Sequence, residues 1–352
     1  MIRRIVVMIV GIAVAVVVLP DAARSQKVKA KGIDSLDVRV NLQVQFNTTS
    51  QGDEPNSEWL LRRARLGVRA WIAGWIRADV EGDFGRGSPR LADGFVLLGF
   101  DPAFALRAGQ FKRPYNANEL VSSRQLLVAE RDGAPRGTEA PTPDGLVVDL
   151  NYSDRDIGIE ASGRRGRMRW IGGLWNGSGD NVPEADEGKQ LAGRVEVEVA
   201  PTWIVGGAWT GAWQAQLEDP SEGAAYHAFE LAVTGGTYQE PGWKALGNLM
   251  AGDNWNPEFG GGEDVTFVAL QGIVGYHLPI FMTPFLIGVE PVARVGWTDP
   301  ATDTDDDAAV LATGGVNLYL DERLKTQVQI DSLIPEEEGT EWALRVHTVL
   351  EF

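Results

Sequence analysis

The chain has 352 residues, no cysteine, 42 glycines, 12 tryptophans and a formal net charge of −17. The lack of thiols excludes a disulfide framework or a thiolate metal site, and the acidity argues against nucleic-acid binding, which rests on a basic footprint. An apolar fraction of 44% excludes a disordered chain, because that much apolar surface offsets the entropy of ordering.

In chain order, a basic start at Arg3 and Arg4 is followed by an apolar run from Ile5 to Leu19 and by Ala23-Arg24-Ser25 just before Gln26. This pattern predicts a secretory signal over residues 1–25, leaving 26–352 as the exported product. The run is short for a membrane-spanning helix, which needs about 20 residues. From Leu36 to Asn47, apolar and polar residues then alternate without a fault, which predicts a strand with one apolar and one wet face. The same rule predicts strands near 35–48, 58–72, 74–84, 91–99, 104–111, 155–163, 167–176, 189–200, 203–213, 226–239, 243–251, 265–277, 285–298, 309–320, 323–333 and 341–352. The last, EWALRVHTVLEF, puts Trp342, Leu344, Val346, Leu350 and Phe352 on one face. It resembles the C-terminal strand by which bacterial outer-membrane barrels are recognised, so the barrel assembly machinery is an expected partner through Phe352.

The connections alternate in length. Short links are read at Ala73, 100–103, 164–166, 201–202, 241–242, 278–284 and 321–322, between longer ones rich in acid and glycine: QGDEP, GSGDNVPEADEG, QAQLEDPSEGA, NWNPEFGGGED, DPATDTDDDA and PEEEG. Short turns at one end and long loops at the other predict an all-β chain, a transmembrane antiparallel barrel of sixteen strands in an outer membrane. In hydrocarbon every backbone polar group must be paired, so a spanning sheet closes on itself. Sixteen strands leave an interior too wide for side chains to fill, and hence an aqueous channel.

The stretch RRARLGVRA, residues 62–70, gathers four arginines in this acidic chain. Ala64, Leu66, Val68, Ala70 and Ile72 form its apolar set, so Arg63, Arg65 and Arg69 are expected in the lumen; Arg62 shares the lipid phase, near the outer rim and its anionic headgroups. The same parity turns Arg39, Arg77, Arg107, Arg167, Arg169, Arg194, Arg294, Arg323, Lys325 and Arg345 inward. With them come Asp37, Asp79, Glu81, Asp83, Glu196, Glu198, Glu290, Asp331, Glu341 and Glu351. Two readings are open: an arginine track for anions, since guanidinium groups match oxyanions and basic rings select anions in pores, or cross-barrel ion pairs that stiffen a wide pore.

From Lys112 to Asp154 no spanning strand is read. Asn118 to Arg131 reads as a short helix, followed by the breaker-rich APRGTEAPTPDG. A linker that long has a task. Folded inward it would be the constriction, bringing Lys112, Arg113, Arg124, Arg131 and Arg136 toward the permeation path; the alternative is an external loop.

These residues resemble the phosphate-selective porins O and P. The resemblance is carried by RRARLGV at 62–68, LRAGQFKRPYNANELVSSRQLLVAERD at 106–132, RDIGIEASG at 155–163 with GLWNGSG at 173–179, GRVEVEVAP at 193–201 and the closing VHTVLEF. It implies a sixteen-stranded homotrimer whose third loop folds inward and whose Arg and Lys side chains guide phosphate or other small anions. By motif position Arg62, Arg63 and Arg65 match the family's paired arginines and Lys112 the lysine of its GQFK segment. The chain departs in being shorter and in lacking a cluster of lumen lysines, for which parity supplies only Lys325.

The acidic runs Asp303 to Asp307 and Glu336 to Glu338 fall in outer loops, where they serve solubility or bridge through divalent cations to lipopolysaccharide. Rival functions lack support: of three histidines, His277 is placed at a strand end and His347 inward, no nucleophile elbow appears, and neither zinc nor another cofactor is implied. A sugar channel would want aromatic stripes in the lumen. Trp71 and Trp175 have that phase, whereas Trp170 fits a lipid-side girdle. A general diffusion porin would share the same barrel and remains the alternative.

Overall fold

The computed structural model describes residues 32–50, 56–184, 188–214, 224–262, 264–337 and 339–352. The expected signal at 1–25, residues 51–55, most of the loop at 214–224, and Glu338 lie outside the described residues. The strands are β1 (Ser35–Thr49), β2 (Ser57–Ala73), β3 (Ile76–Asp83), β4 (Arg90–Asp101), β5 (Phe104–Lys112), β6 (Arg155–Arg165), β7 (Met168–Trp175), β8 (Lys189–Ala200), β9 (Trp203–Gln214), β10 (Ala224–Gly235), β11 (Gly242–Asp253), β12 (Thr266–Thr283), β13 (Leu286–Asp299), β14 (Ala309–Asp321), β15 (Leu324–Pro335) and β16 (Glu341–Glu351). Each pairs antiparallel with its chain neighbours, and β1 also pairs with β16, with Asn41 opposite both Arg65 and Glu351. The sheet is a closed barrel.

Alternation sorts the faces with the apolar set outside. Leu231 is 67% exposed while its neighbour Glu230 is 2% exposed, and Val295 at 60% adjoins Arg294 at 1%. An apolar exterior around a polar interior is the arrangement a bilayer imposes. Among the described residues no helix is long and apolar enough to cross a membrane; the crossing elements are strands. At the short-turn rim Trp75, Phe100, Phe104 and Trp170 form a continuous row, with successive ring centroids 5.6, 6.1 and 6.4 Å apart. Such a row is suited to the headgroup level. Trp71 and Trp175 instead turn inward: Trp71 lies under the Arg77 guanidinium and Trp175 is buried against Phe111.

Three boundaries differ from the sequence reading by more than two residues. β10 stops at Gly235, so its link to β11 is 236–241 rather than Pro241-Gly242; Gly236, at φ 87°, takes the turn that ends it. β12 runs on to Thr283, which reduces the expected 278–284 link to Pro284 and Phe285 and puts His277 within the strand, buried beside Glu290, rather than at its end. The expected helix over 118–131 is a single turn, α1 (Ala117–Leu120), because the chain beyond Val121 is held by wall side chains instead of its own backbone. A second helix, α2 (Pro143–Asp149), begins on the last three residues of the stretch read as breakers and runs past it. Its signature is the Thr142 cap accepting from Gly145 N at 3.2 Å, followed by proline in the first turn.

Residues 113–154 bond to inward-alternating side chains around much of the wall. On β15, Lys325 Nζ donates to Leu126 O at 2.8 Å, Gln327 Nε2 to Leu127 O at 3.1 Å, and Gln329 both donates to Leu127 O and accepts from Ala129 N. Gln43 of β1 reaches Ser123, and Tyr115 Oη donates to Phe229 O of β10 at 3.1 Å. An apolar seam completes the attachment: Tyr115, Leu146, Val147, Leu150 and Tyr152 pack on Ala208, Ala228, Met250, Phe267 and Ala269 of β9 to β12. Of these, Leu146, Val147, Leu150, Met250 and Phe267 each contribute roughly 1.5–3 kcal/mol by the usual area reckoning, enough to anchor a long connection.

Candidate functional site

The strongest charge constellation lies where β2, β4, β6 and residues 119–149 meet around a cavity of about 760 Å3. Its basic lining comes from Arg62, Arg63, Arg65 and Arg131, all singled out in the sequence, and from Arg86, Arg90 and Arg155, which were not. Arg155 opens the RDIGIEASG strand and donates to Asp93 at 2.8 Å; its position at a strand start left its direction unread.

Arg62 corrects the parity argument. Between Gln43 and Val44 the β1–β2 register slips, Gln43 facing Arg63 and Val44 facing Leu61, so Arg62 is an inserted bulge residue. It turns inward with Arg63 instead of outward to headgroups. There it grips Glu130 in two bonds, Nε to Oε1 at 2.5 Å and Nη2 to Oε2 at 2.7 Å. Arg63 donates to Gln43 Oε1 at 3.0 Å and has no ion-pair partner among the described residues. Arg65 bonds Asp83 at 2.8 Å and Glu81 at 3.4 Å.

The remaining candidates are spread along the wall and are mostly paired. Arg69 meets Asp79 at 2.9 Å, an aspartate also reached by Arg39 and Arg77 at 3.0 and 2.7 Å, so three guanidinium groups share one carboxylate. Arg107 joins Glu160 at 2.7 Å and lies 3.9 Å from the Phe111 ring centre, a cation–π contact. Lys112 pairs with Glu119 at 2.8 Å, and Arg131 pairs with the same carboxylate at 3.2 Å. Arg124 reaches Glu351 at 2.8 Å, and Arg136 reaches Glu58 at 3.4 Å near the rim. Arg113 is 1% exposed and enclosed by Asn151, Ser153, Gln190 and Asp156; it braces the start of the connection and does not line the cavity. Arg167, Arg169 and Arg323 are exposed at the short-turn end. Lys244 of β11, missed by the parity reading, is buried inward and meets Glu290 at 3.2 Å.

Acids held by these cations fasten the connection. Burial alone would raise the Glu119 carboxyl, but Arg131 and Lys112 outweigh it and hold it at about 2. Burial acts upward on Glu130 too, and Arg62 overrides it, keeping that group well below the usual carboxylate range. A carboxylate depressed in the folded state contributes stability above its unfolded value, near 4.5 for Glu119, and loses it as the pH falls toward about 2. The attachment is therefore expected to hold at pH 7 and 5 and to loosen progressively between 4.5 and about 2. Pepsin nicking within 113–154 at pH 4.5 and at lower pH checks this; equal cleavage rates, after correction for pepsin's own profile, contradict it.

Among the described residues no group of three or more His, Cys, Asp or Glu side chains is arranged to hold a metal ion. His347 is buried beside Gln327, with its Nδ1 3.2 Å from Oε1, and serves packing.

Comparison with known proteins agrees with the barrel. Salmonella typhi OmpF, in a complex with daunomycin, superposes with a TM-score of 0.63 at 14% identity over 93% of this chain and 100% of its own. The outer membrane channel DcaP of Acinetobacter baumannii gives 0.64 at 12% over 93% and 99%, and the anion-selective porin from Comamonas acidovorans 0.64 at 14% over 90% and 99%. No curated protein matches the sequence. The family model of phosphate-selective porin O and P matches residues 35–208, the span that carries β1 to β8, the 113–154 connection and the arginine wall. On that match the chain belongs to the phosphate-selective porin O and P family, and it is an outer-membrane porin.

Proposed function

We propose that this porin is a passive, anion-preferring channel for phosphate-class solutes, with residues 113–154 folded into the lumen as its constriction. The observation that carries the reading is the convergence of Arg62, Arg63, Arg65, Arg131 and Arg155 on one cavity. Planar guanidinium groups recognise oxyanions, and transit stays fast only when several modest sites follow one another; the Arg39, Arg69 and Arg77 group around Asp79 supplies a second. The bonds from Lys325, Gln327 and Gln329 to residues 126–129 support an immobile constriction. We further infer a signal at 1–25, recognition of Phe352 by the assembly machinery, contact of the outer loops with lipopolysaccharide, and a homotrimer, the state named for one form of Vibrio cholerae OmpT. One observation favours a general diffusion porin instead: most lumen arginines already hold a carboxylate. Zero-current potentials in a potassium chloride gradient, followed by phosphate block of the chloride current, decide between them. Cation preference ends the anion reading.

A further inference from the structure

The cavity that carries the arginines also has an acidic side. Asp132 and Asp149 of the long connection and Glu258 of the β11–β12 connection line it together with Arg63 and Arg86. The two signs come from different parts of the barrel. Arg63 and Arg86 belong to β2 and the β3–β4 link, whereas α2, which bears Asp149, is tied to β12 by Gln271 Nε2 donating to Asp144 at 2.9 Å and packs against β13.

Among the described residues none of these five groups has an ion-pair partner, whereas Arg62, Arg65, Arg131 and Arg155 each have at least one. Arg63 lines the cavity, is 6% exposed and keeps its Nε without a hydrogen-bond partner, so a nearly buried cation is left without a counter-ion there. Asp149 and Glu258 keep to the acidic side: partial burial together with Asp132 and Glu258 raises the Asp149 carboxyl, while Asp132 also acts on Arg86 and lies between the two signs. An oxyanion entering here is drawn by the arginines, and the opposing carboxylates weaken that pull. A solute with both charges gains from each side, and about 760 Å3 suits a small molecule with its water.

We propose that this vestibule preferentially admits small dipolar solutes, molecules bearing one ammonium and one carboxylate group, with the carboxylate toward Arg63 and Arg86 and the ammonium toward Asp149 and Glu258. The proposal rests on the channel reading but not on anion preference.

The test is osmotic swelling of proteoliposomes holding the full chain, with γ-aminobutyrate, γ-hydroxybutyrate and erythritol as solutes of similar size. The expected result is γ-aminobutyrate entering about threefold or more faster than erythritol, within what focused charge does to local solute concentration. In the Asp149→Asn, Glu258→Gln double variant γ-aminobutyrate is expected to fall to the erythritol rate while γ-hydroxybutyrate speeds up. Both substituted groups are solvent-facing, and heat-modifiable gel mobility checks that the barrel forms. Equal wild-type rates for γ-aminobutyrate and erythritol overturn the proposal, and so does a variant in which all three solutes change together. Absence of erythritol entry defeats the channel reading itself, and with it this proposal. The zero-current potential of the same preparation reports separately on anion preference.

Discussion

Replacing Arg63 with glutamate is expected to lower the anion-to-cation permeability ratio by about tenfold or more. Each unit charge roughly 7 Å from a permeating ion contributes about 0.6 kcal/mol in a water-like dielectric and about 2.4 kcal/mol at an effective value near 20. The substitution changes the local charge by two and acts with opposite sign on anion and cation, so even the lower figure exceeds the 1.4 kcal/mol of a tenfold change. The site tolerates the change because Arg62, Arg65 and Arg131 surround it and Gln43 is its only side-chain partner among the described residues. Arg62→Glu is a poorer test, since it also destroys the bidentate grip on Glu130. Zero-current potentials in a tenfold salt gradient measure the ratio; an Arg63→Glu channel with wild-type selectivity removes this arginine from the path.

Freeing the long connection is expected to have the larger effect on conductance. Arg294 Nη2 holds Asp331 at 2.8 Å while its Nη1 donates to Glu130 O at 3.1 Å and also to Arg131 O. Arg345 pairs with the same aspartate and donates to Gly133 O at 3.3 Å and to Ala134 O. The two arginines thus bind four backbone carbonyls between residues 130 and 134 to β13 and β16. Arg294→Met with Arg345→Met removes those contacts and leaves Asp331, 1% exposed, without a counter-ion, a loss of about 3–5 kcal/mol. Adding Asp331→Asn removes the orphaned charge, so the triple variant is expected to regain most of the barrel's heat resistance while the connection stays loose. Single-channel recording is expected to give higher conductance and larger open-channel noise in both. A triple variant with wild-type current and noise shows that the connection does not control the bore.

The difference between these two experiments follows the difference between wall and loop. A wall charge is fixed by the barrel and sets selectivity through its field. The connection owes its place to some wall residues that the alternation rule identifies only as polar and inward. Gln327 and Gln329, for instance, share the phase of Lys325 on β15 and bind Leu126, Leu127 and Ala129.

Parity also failed in one informative place. The Arg62 assignment assumed an unbroken two-residue period, and a single inserted residue opposite Gln43 and Val44 reversed it. No local sequence signal marks such a bulge, because it is decided by the partner strand. The short α1 has the same cause: helix-forming residues from Asn118 onward lose to wall side chains such as Lys112, Lys325 and Gln329, which hold the carbonyls of Glu119, Leu126 and Leu127. The α2 helix, by contrast, was legible in Thr142-Pro143 and was missed by giving proline only its breaker meaning.

The amino-acid sequence by itself determined sixteen strands, their inside and outside faces, the separation of short turns from long loops, and the arginine-rich second strand, because each is a local consequence of a period of two and of turn chemistry. Tertiary structure alone decided which arginines are spoken for, which remain open, and that acids from α2 and the β11–β12 connection share a cavity with them. The physical reason is that charge pairing is a matter of distance through space, and residues such as Arg63 and Glu258, far apart along the chain, become neighbours of one cavity only when the sheet closes.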